Sequence, residues 1–234
     1  MIAAAKALVF SLKEETDMAE QLWSAVDDYL SEVAVRPDPS YAATYQASVA
    51  AGLPDIAVSA AEGKQLHLLA RMRGAKRILE IGTLGGYSTL WLARALPDGG
   101  KLISLEYDAH HADVARENLS KAGVGEKVEI IVGPALETLP KLEGAFDFFF
   151  VDANKDGYPD YFRWALKLAA PGAVLVADNM VRQGKVADAT SDDPSVIGVR
   201  AALEVARAEP RVSATAIQTV GARGHDGYLL AIID

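Results

Sequence analysis

Hydrophobic positions in the first 75 residues recur at three- and four-residue spacing, which is typical of amphipathic helices. Thr16 is a candidate N-cap for the first helix, and Ser59 with Glu62 has the spacing of a capping box for the third. The predicted helices cover Met18–Val33, Tyr41–Ala51 and Ala60–Arg73, the last ending at Gly74. Because no strand is predicted before residue 77, we expect these helices to form a cover or a contact between subunits.

From residue 77 onward, short apolar runs of β type alternate with helical patterns. The run Phe148-Phe149-Phe150-Val151 is typical of a strand that is buried on both faces. Strands are predicted over Arg77–Ile81, Lys101–Glu106, Lys127–Val132, Phe146–Val151 and Gly172–Ala177. Helices are predicted between them over Tyr87–Ala95, His110–Ala122, Ala135–Leu139 and Tyr158–Ala169. This alternation predicts a doubly wound, mostly parallel sheet.

The C-terminal segment has a different pattern. Asp193 and Pro194 have the residue types of an N-cap and a first helical position, and the helix is predicted to reach Ala208. Two further strands, Val212–Thr219 and Tyr228–Ile233, are predicted around a turn at Gly221–Gly227. We therefore expect an α/β fold with a seven-stranded sheet and an antiparallel C-terminal hairpin. The chain is interpreted as one domain, with residues 1–57 as the helical cover and residues 58–234 as the Rossmann-like core.

Composition and charge narrow the function classes. The chain is 50% hydrophobic and 24% charged, which is the range of a globular protein, and it contains no Cys. Disulfide frameworks, thiolate metal sites and Cys nucleophiles are thereby excluded. The net charge of −9 disfavours binding to nucleic acid or to anionic membranes. The apolar runs at residues 7–10 and 168–177 are too short for a secretory core or a membrane span, so we expect a soluble, cytoplasmic protein.

A glycine-rich turn follows the first predicted strand, in the segment Glu80-Ile81-Gly82-Thr83-Leu84-Gly85-Gly86-Tyr87-Ser88. Its G-x-x-G-G spacing departs from the dinucleotide fingerprint. A carboxylate at Glu80 would repel a pyrophosphate and would suit an ammonium or sulfonium group. Glu106 ends the second strand 24 residues after Gly82, where doubly wound sheets place an acid on ribose hydroxyls. The alternative for Glu106 is a solvated strand end.

Oxygen-bearing side chains follow two later strands. Asp152 comes directly after the fourth strand, and Asp178 and Asn179 follow the fifth, so all three should lie at the carboxyl edge of the sheet. These donors favour Mg²⁺ or Mn²⁺, whereas the alternative is that they form turns. Lys155 is positioned to act as a general base, or it is an ordinary surface lysine. The four histidines, His67, His110, His111 and His225, have no spacing of a triad or zinc site and are interpreted as surface residues.

Several ordered motifs together resemble the cation-dependent, S-adenosylmethionine-dependent O-methyltransferases of the caffeoyl-CoA and catechol type. The motifs are Leu53–Ser59, Leu79–Ser88, Gly133–Ala135, Val151–Tyr158 and Ala177–Asn179. The resemblance implies a cofactor site made of Val58, Glu80, Gly82, Thr83, Ser88, Glu106, Ala135 and Asp152. It also implies that Asp152, Asp178 and Asn179 hold Mg²⁺, or alternatively Mn²⁺ or Ca²⁺, and that Lys155 and Asp152 serve catalysis.

The implied function is methyl transfer to one hydroxyl of a catechol-like small molecule by a homodimer, with a phenylpropanoid or its CoA ester as a possible substrate. Two features depart from the family pattern: Asn154 stands where many relatives have an acid, and Arg182 and Lys185 occupy a loop that carries an aromatic residue in plant enzymes. These two basic residues suggest an anionic substrate or are solvated loop charges. One alternative function is methylation of a tRNA hydroxyuridine, for which the basic cluster Arg71, Arg73, Lys76 and Arg77 is the candidate surface. Another is a nicotinamide-dependent oxidoreductase.

Overall fold

A computed structural model describes residues 18–234, so the expectations for Thr16 and for residues 7–10 fall outside the described residues. Helix α1 covers residues 18–30 and ends in a π-helical turn, Ser31–Val35. Helix α2, Pro39–Ala50, begins two residues earlier than predicted. It does so because the Asp38 carboxylate caps it by accepting a hydrogen bond from the backbone N–H of Ser40 at 2.8 Å.

Helix α3, Ala60–Arg73, has the bounds that the sequence predicts. The Ser59 backbone N–H donates to Glu62 Oε2 at 2.7 Å, and the Glu62 N–H donates to Ser59 Oγ at 3.2 Å. The capping box is therefore confirmed. At the other end Gly74 takes the left-handed conformation, with φ of 68°, and its N–H closes the last turn.

Within residues 18–234, seven strands form one mixed sheet in the order β3-β2-β1-β4-β5-β7-β6. Strands β1 to β5 pair in parallel, while β7 is antiparallel to both β5 and β6. The strands are β1 Arg77–Ile81, β2 Lys101–Glu106, β3 Val128–Val132, β4 Phe146–Val151, β5 Ala169–Ala177, β6 Val212–Gly221 and β7 Gly224–Ile233. The remaining helices are α4 Tyr87–Ala93, α5 Ala109–Lys121, α6 Ala135–Thr138, α7 Tyr158–Leu168 and α8 Pro194–Ala208. The predicted fold class is confirmed.

The C-terminal hairpin differs from its prediction. Its turn was expected over Gly221–Gly227, which is wrong, because the hydrogen-bonded ladder continues until Gly221 pairs with Gly224. Only Ala222 and Arg223 remain between the strands. Gly224, at φ of 86°, permits this tight reversal. Strand β7 rather than β6 joins the parallel part of the sheet, so β6 forms the edge.

The phenylalanines of β4 connect two layers of the core. Phe148 and Phe150 pack on the face covered by α3 and α4, with Leu66 and Leu92. Phe149 packs on the opposite face, which α7 and α8 cover, with Phe162. Each of these phenylalanines is at most 2% exposed. Alternation along one central strand therefore joins both helical layers to the sheet.

The strand order reverses between β1 and β4, because β2 and β3 continue on one side of β1 while β5 continues on the other side of β4. In open α/β sheets, ligands bind outside the carboxyl ends of the strands at such a reversal. Among residues 18–234, no helix is both long enough and apolar enough to cross a bilayer.

Replacing Ser59 by Ala should lower the free energy of unfolding by about 1 kcal/mol, because one N-terminal N–H of α3 loses its acceptor. Ser59→Asp keeps a capping oxygen and serves as the control. Urea titration measures both variants. An alanine variant as stable as the wild-type protein would contradict the role of this cap.

Candidate active site

A cavity of about 880 Å³ opens at the carboxyl ends of β1 and β4. Of the eleven site residues that the resemblance implies, nine line it: Val58, Gly82, Thr83, Ser88, Glu106, Ala135, Asp152, Lys155 and Asn179. Glu80 and Asp178 are not in its wall. Tertiary structure thus brings together residues from four strand ends, the loop before α3 and the starts of α4 and α6.

Gly82 makes the close approach of β1 and β4 possible. Its φ is 103°, and a Cβ at this position would overlap the backbone oxygen of Asp152. The turn continues through Leu84, a non-glycine residue with φ of 49°. The backbone N–H groups of Thr83 and Leu84 donate to Glu106 Oε2 at 3.0 and 2.8 Å. The glycine-rich turn is therefore held on the acid at the end of β2.

Glu106 is 8% exposed and belongs to this network, so the alternative of a solvated strand end is wrong. Its Oε1 accepts from the Asp108 N–H at 3.0 Å and lies 3.6 Å from His111 Nδ1. The carboxylate retains lone pairs for a ligand on the cavity side. His111, interpreted from the sequence as a surface residue, lines the cavity. Asp108 places it there by capping α5, and this N-cap pattern was the available signal.

Glu80 lies beneath the glycine-rich turn and is fully buried. Its carboxylate accepts hydrogen bonds from the hydroxyls of Ser88 at 2.6 Å, Thr89 at 2.5 Å and Ser104 at 2.7 Å. Burial nevertheless raises its pKa to about 7, because desolvation opposes the charged form. The structure thus directs the carboxylate into a hydroxyl network rather than into the cavity wall, where a direct contact with a cationic ligand had been expected.

The ends of β1, β4 and β5 are aligned by hydrogen bonds that extend past the strands. The Asp152 N–H donates to Ile81 O at 2.9 Å, and the Asp178 N–H donates to Val151 O at 3.0 Å. Burial raises the pKa of Asp178 well above its usual range, and the negative charge of Asp152 raises it further. The two carboxyl groups are therefore near neighbours. Asn179, at φ of 55°, follows them in the cavity wall.

The donor set fits a hard divalent cation by its chemistry, because it offers two carboxylates and an amide oxygen. Both carboxylates are partly buried, and a cation would relieve their mutual repulsion. No cluster of three or more His, Cys, Asp or Glu side chains suited to a metal occurs in residues 18–234. Binding of Mg²⁺ at Asp152, Asp178 and Asn179 therefore stays a prediction.

Lys155 is not an ordinary surface lysine, since its side chain is only 10% exposed. Its Nζ donates to Asp152 Oδ1 at 2.8 Å and to the Tyr158 hydroxyl at 2.7 Å. Burial raises the pKa of Tyr158 well above its usual value, so this phenol stays protonated. Its oxygen lies 3.1 Å from Val151 O and 3.0 Å from Asp178 O. Sequence reasoning missed Tyr158, although its position three residues after Lys155 is a usable signal.

The two departures from the family pattern have different surroundings. Asn154 lines the cavity, donating to Asp156 Oδ1 at 2.7 Å and accepting from the Tyr161 hydroxyl at 2.5 Å. Arg182 also lines the cavity, whereas Lys185 does not and is 58% exposed at its side chain. Of the two loop cations, the fold therefore directs only Arg182 to the site.

The basic cluster proposed for tRNA lies at the opposite edge of the sheet. Arg77 is the first residue of β1, whereas the cavity opens after its last residue. Arg73 lies 3.6 Å from Asp147 and donates to Pro171 O at 3.0 Å. The guanidinium of Arg77 donates to Glu143 O at 3.0 Å. These contacts occupy basic side chains away from the candidate site.

The strand order, the glycine-rich turn and the cavity beside Glu106 together define a Rossmann-like enzyme with a nucleoside-type site. The chain belongs to the O-methyltransferase family, because the model of the family described as O-methyltransferase matches residues 37–231.

Similar proteins agree with this membership. The chain is 51% identical over 209 residues to a catechol O-methyltransferase of Mycobacterium tuberculosis, covering 89% of this chain and 94% of the relative. It is 47% identical over 220 residues to a catechol O-methyltransferase of Niastella koreensis, covering 92% and 100%. A solved O-methyltransferase of Bacillus cereus in complex with SAH (S-adenosylhomocysteine) superposes with a TM-score of 0.90 at 48% identity, covering 92% and 100%.

The protein is therefore an S-adenosylmethionine-dependent O-methyltransferase. The family resemblance drawn from the motifs is confirmed. None of these relatives supports the tRNA or nicotinamide alternative.

Glu80→Gln tests the pH dependence of stability. The pKa of Glu80 is about 7 in the folded protein and 4.5 ordinarily. The stability that the protonated side chain contributes is therefore fully present below pH 4.5 and is lost as the pH rises to about 7. The wild-type protein should therefore lose about 3 kcal/mol of unfolding free energy relative to the variant between pH 4.5 and pH 7. Urea titrations at several pH values measure it, and a difference that does not vary with pH would contradict the shift.

Proposed function

We propose that this enzyme uses Mg²⁺ to transfer the methyl group of S-adenosylmethionine to one hydroxyl of a catechol-like small molecule. A phenylpropanoid or its CoA ester is included in this class. The observation that carries the proposal is that Asp152 and Asp178 follow two paired strands, whose ends the Asp178 N–H joins by donating to Val151 O at 3.0 Å, with Lys155 Nζ 2.8 Å from Asp152. The two catechol O-methyltransferases among the relatives support the substrate class.

The cofactor would lie between the glycine-rich turn and the start of α6, and it supplies a methyl group activated by a sulfonium charge. Glu106 would accept hydrogen bonds from ribose hydroxyls while its remaining lone pairs hold the turn. Gly82 lets the turn pass close to the backbone of Asp152, where a side chain would not fit. Val58, Thr83, Ser88, Ala135 and Asp152 would complete the cofactor pocket.

A divalent ion held by Asp152, Asp178 and Asn179 would supply a lowered pKa for the substrate hydroxyl and a fixed orientation for its oxygen. Lys155 Nζ would accept the hydroxyl proton in its neutral amine form, with the ion in place of the lysine balancing the charge of Asp152. Asp152 and the Tyr158 hydroxyl hold this nitrogen in place, and Tyr158 is itself held by two backbone oxygens. The chain thus positions the base before substrate binds.

An apolar part of the cavity wall would exclude water from the bound substrate. It is formed by α2 and the loop after it, through Tyr45, Val49, Pro54 and Ile56. Joining an anionic oxygen to a cationic donor neutralises charge, so an apolar wall favours the transition state. An aromatic ring would also be accommodated by this surface.

Asp178→Ala should lower kcat by about 100-fold or more, because loss of one oxygen ligand removes much of the cation's contribution. A dihydroxybenzoate-type substrate with mass-spectrometric detection of the product measures this effect. A chelator should lower the turnover of the wild-type protein to a similar degree, and added Mg²⁺ should restore it; Mn²⁺ and Ca²⁺ test the alternative ions.

Asp192→Ala is the matched control, since it removes an exposed carboxylate outside the cavity wall. Turnover that survives both Asp178→Ala and the chelator would contradict the metal role. An active metal-dependent enzyme that modifies no catechol would contradict the substrate class alone.

We also propose a homodimer formed through α1. Apolar side chains recur along this helix at helical spacing and are exposed, at Met18, Leu22, Val26, Tyr29 and Val33. The helix is anchored to the C-terminal hairpin, because Asp27 Oδ2 accepts from the Ala222 N–H at 2.7 Å. Such a stripe is typical of a surface that packs on another helix. The single-domain organisation and the cytoplasmic location stay predictions.

Leu22→Glu should convert the dimer to a monomer, because a carboxylate would be buried in the centre of the proposed contact. Size-exclusion chromatography with light scattering measures the mass. Met72→Glu, at an 83% exposed position on α3, is the control for a surface charge change. A dimer that withstands Leu22→Glu, or a monomeric wild-type protein, would contradict the contact.

A further inference from the structure

The loop after β5 holds Arg182 in an unusual backbone conformation. Arg182 and Gln183 have φ of 54° and 57°, in the left-handed region that non-glycine residues rarely adopt. Asp226 Oδ1 maintains this conformation by accepting from the N–H groups of Val181 and Arg182, each at 3.0 Å. Strand β7 therefore fixes the point from which the Arg182 side chain enters the cavity wall.

The guanidinium of Arg182 has unused hydrogen-bonding capacity. Its closest carboxylate is Asp226 Oδ2, which lies 4.0 Å from Nη1 and beyond hydrogen-bond distance. Within residues 18–234, its side chain makes no hydrogen bond, and its Nε is buried without a partner. An arginine carries five N–H donors in a planar fork. The cavity wall thus contains a cationic donor set that a planar anion would satisfy.

The two neighbouring lysines have carboxylate partners of their own. Lys155 is paired with Asp152 on the same wall, while Lys185 lies outside the wall, 4.0 Å from Asp193. Arg182 lies four residues after Asp178, whose backbone oxygen is 3.0 Å from the Tyr158 hydroxyl. Arg182 and Lys155 also line the same cavity. The loop that carries Arg182 therefore begins beside the Lys155–Tyr158 pair, the proposed site of proton transfer.

We infer that Arg182 is a specificity residue that binds a carboxylate attached to the ring of the catechol, so that dihydroxybenzoate-like acids are the preferred substrates. A carboxylate matches the guanidinium fork in a two-bond geometry. The proximity to Lys155 favours an anion on the ring itself. In a CoA ester, the long pantetheine arm would place the phosphates far from this position. The inference rests on the proposed O-methylation of a catechol.

The test compares 3,4-dihydroxybenzoate with 3,4-dihydroxybenzamide, which has the same shape and no charge. For the wild-type protein, kcat/KM should favour the acid by about 10- to 100-fold, the usual size of a hydrogen-bonded charge contribution. Arg182→Met should reduce this ratio to about one, mainly through KM for the acid. Arg182→Lys keeps the charge without the fork and should give an intermediate ratio.

Lys185→Met is the matched control, because it removes a positive charge from the same loop outside the cavity wall, and its ratio should equal that of the wild-type protein. Thermal unfolding of each variant establishes that the fold is retained. A wild-type ratio near one, or an Arg182→Met ratio equal to that of the wild-type protein, would overturn the inference. A preference for the catechol CoA thioester over the free acid that Arg182→Met abolishes would also overturn it. A wild-type protein inactive on every catechol would instead contradict the proposed function, and the inference would fall with it.

Discussion

The close contact between the ends of β1 and β4 is the constraint on which the site depends. Gly82 lies against the backbone of Asp152, and no other residue type fits without moving one strand end. Because the strand order reverses between these two strands, the connections that leave them diverge and open the cavity. The glycine-rich turn and the polar cluster around Lys155 consequently lie on two sides of the same cavity.

The carboxylates near this cavity have different hydrogen-bonding partners and therefore different environments. Glu106 accepts three backbone N–H groups and holds the turn, whereas Glu80 is enclosed by three hydroxyls beneath it. Asp152 pairs with Lys155, while the partly buried Asp178 accepts the N–H of Asn179 at 2.7 Å. One kind of side chain therefore supplies a structural acceptor, a buried acid and candidate cation ligands, according to the donors that surround it.

Much of the fold was predictable because its signals are local. The capping box of α3, the Asp193 N-cap of α8 and the buried phenylalanines of β4 each lie within a few residues of the element that they define. Element ends were less predictable, as the C-terminal hairpin shows. Its turn was placed over glycines, but pairing with a neighbouring strand decides where a ladder ends.

The sequence by itself determined the α/β alternation, the family membership and the residue types at the strand ends, because periodicity and motifs are properties of short stretches of sequence. Only the tertiary structure decided which of those residues meet. Glu80 was expected to face a ligand and lies on hydroxyls, His111 was expected at the surface and lines the cavity, and Arg182 and Lys185 are separated. The reason is physical: side-chain direction and desolvation depend on neighbours distant in sequence, such as Asp226 beneath the Arg182 loop.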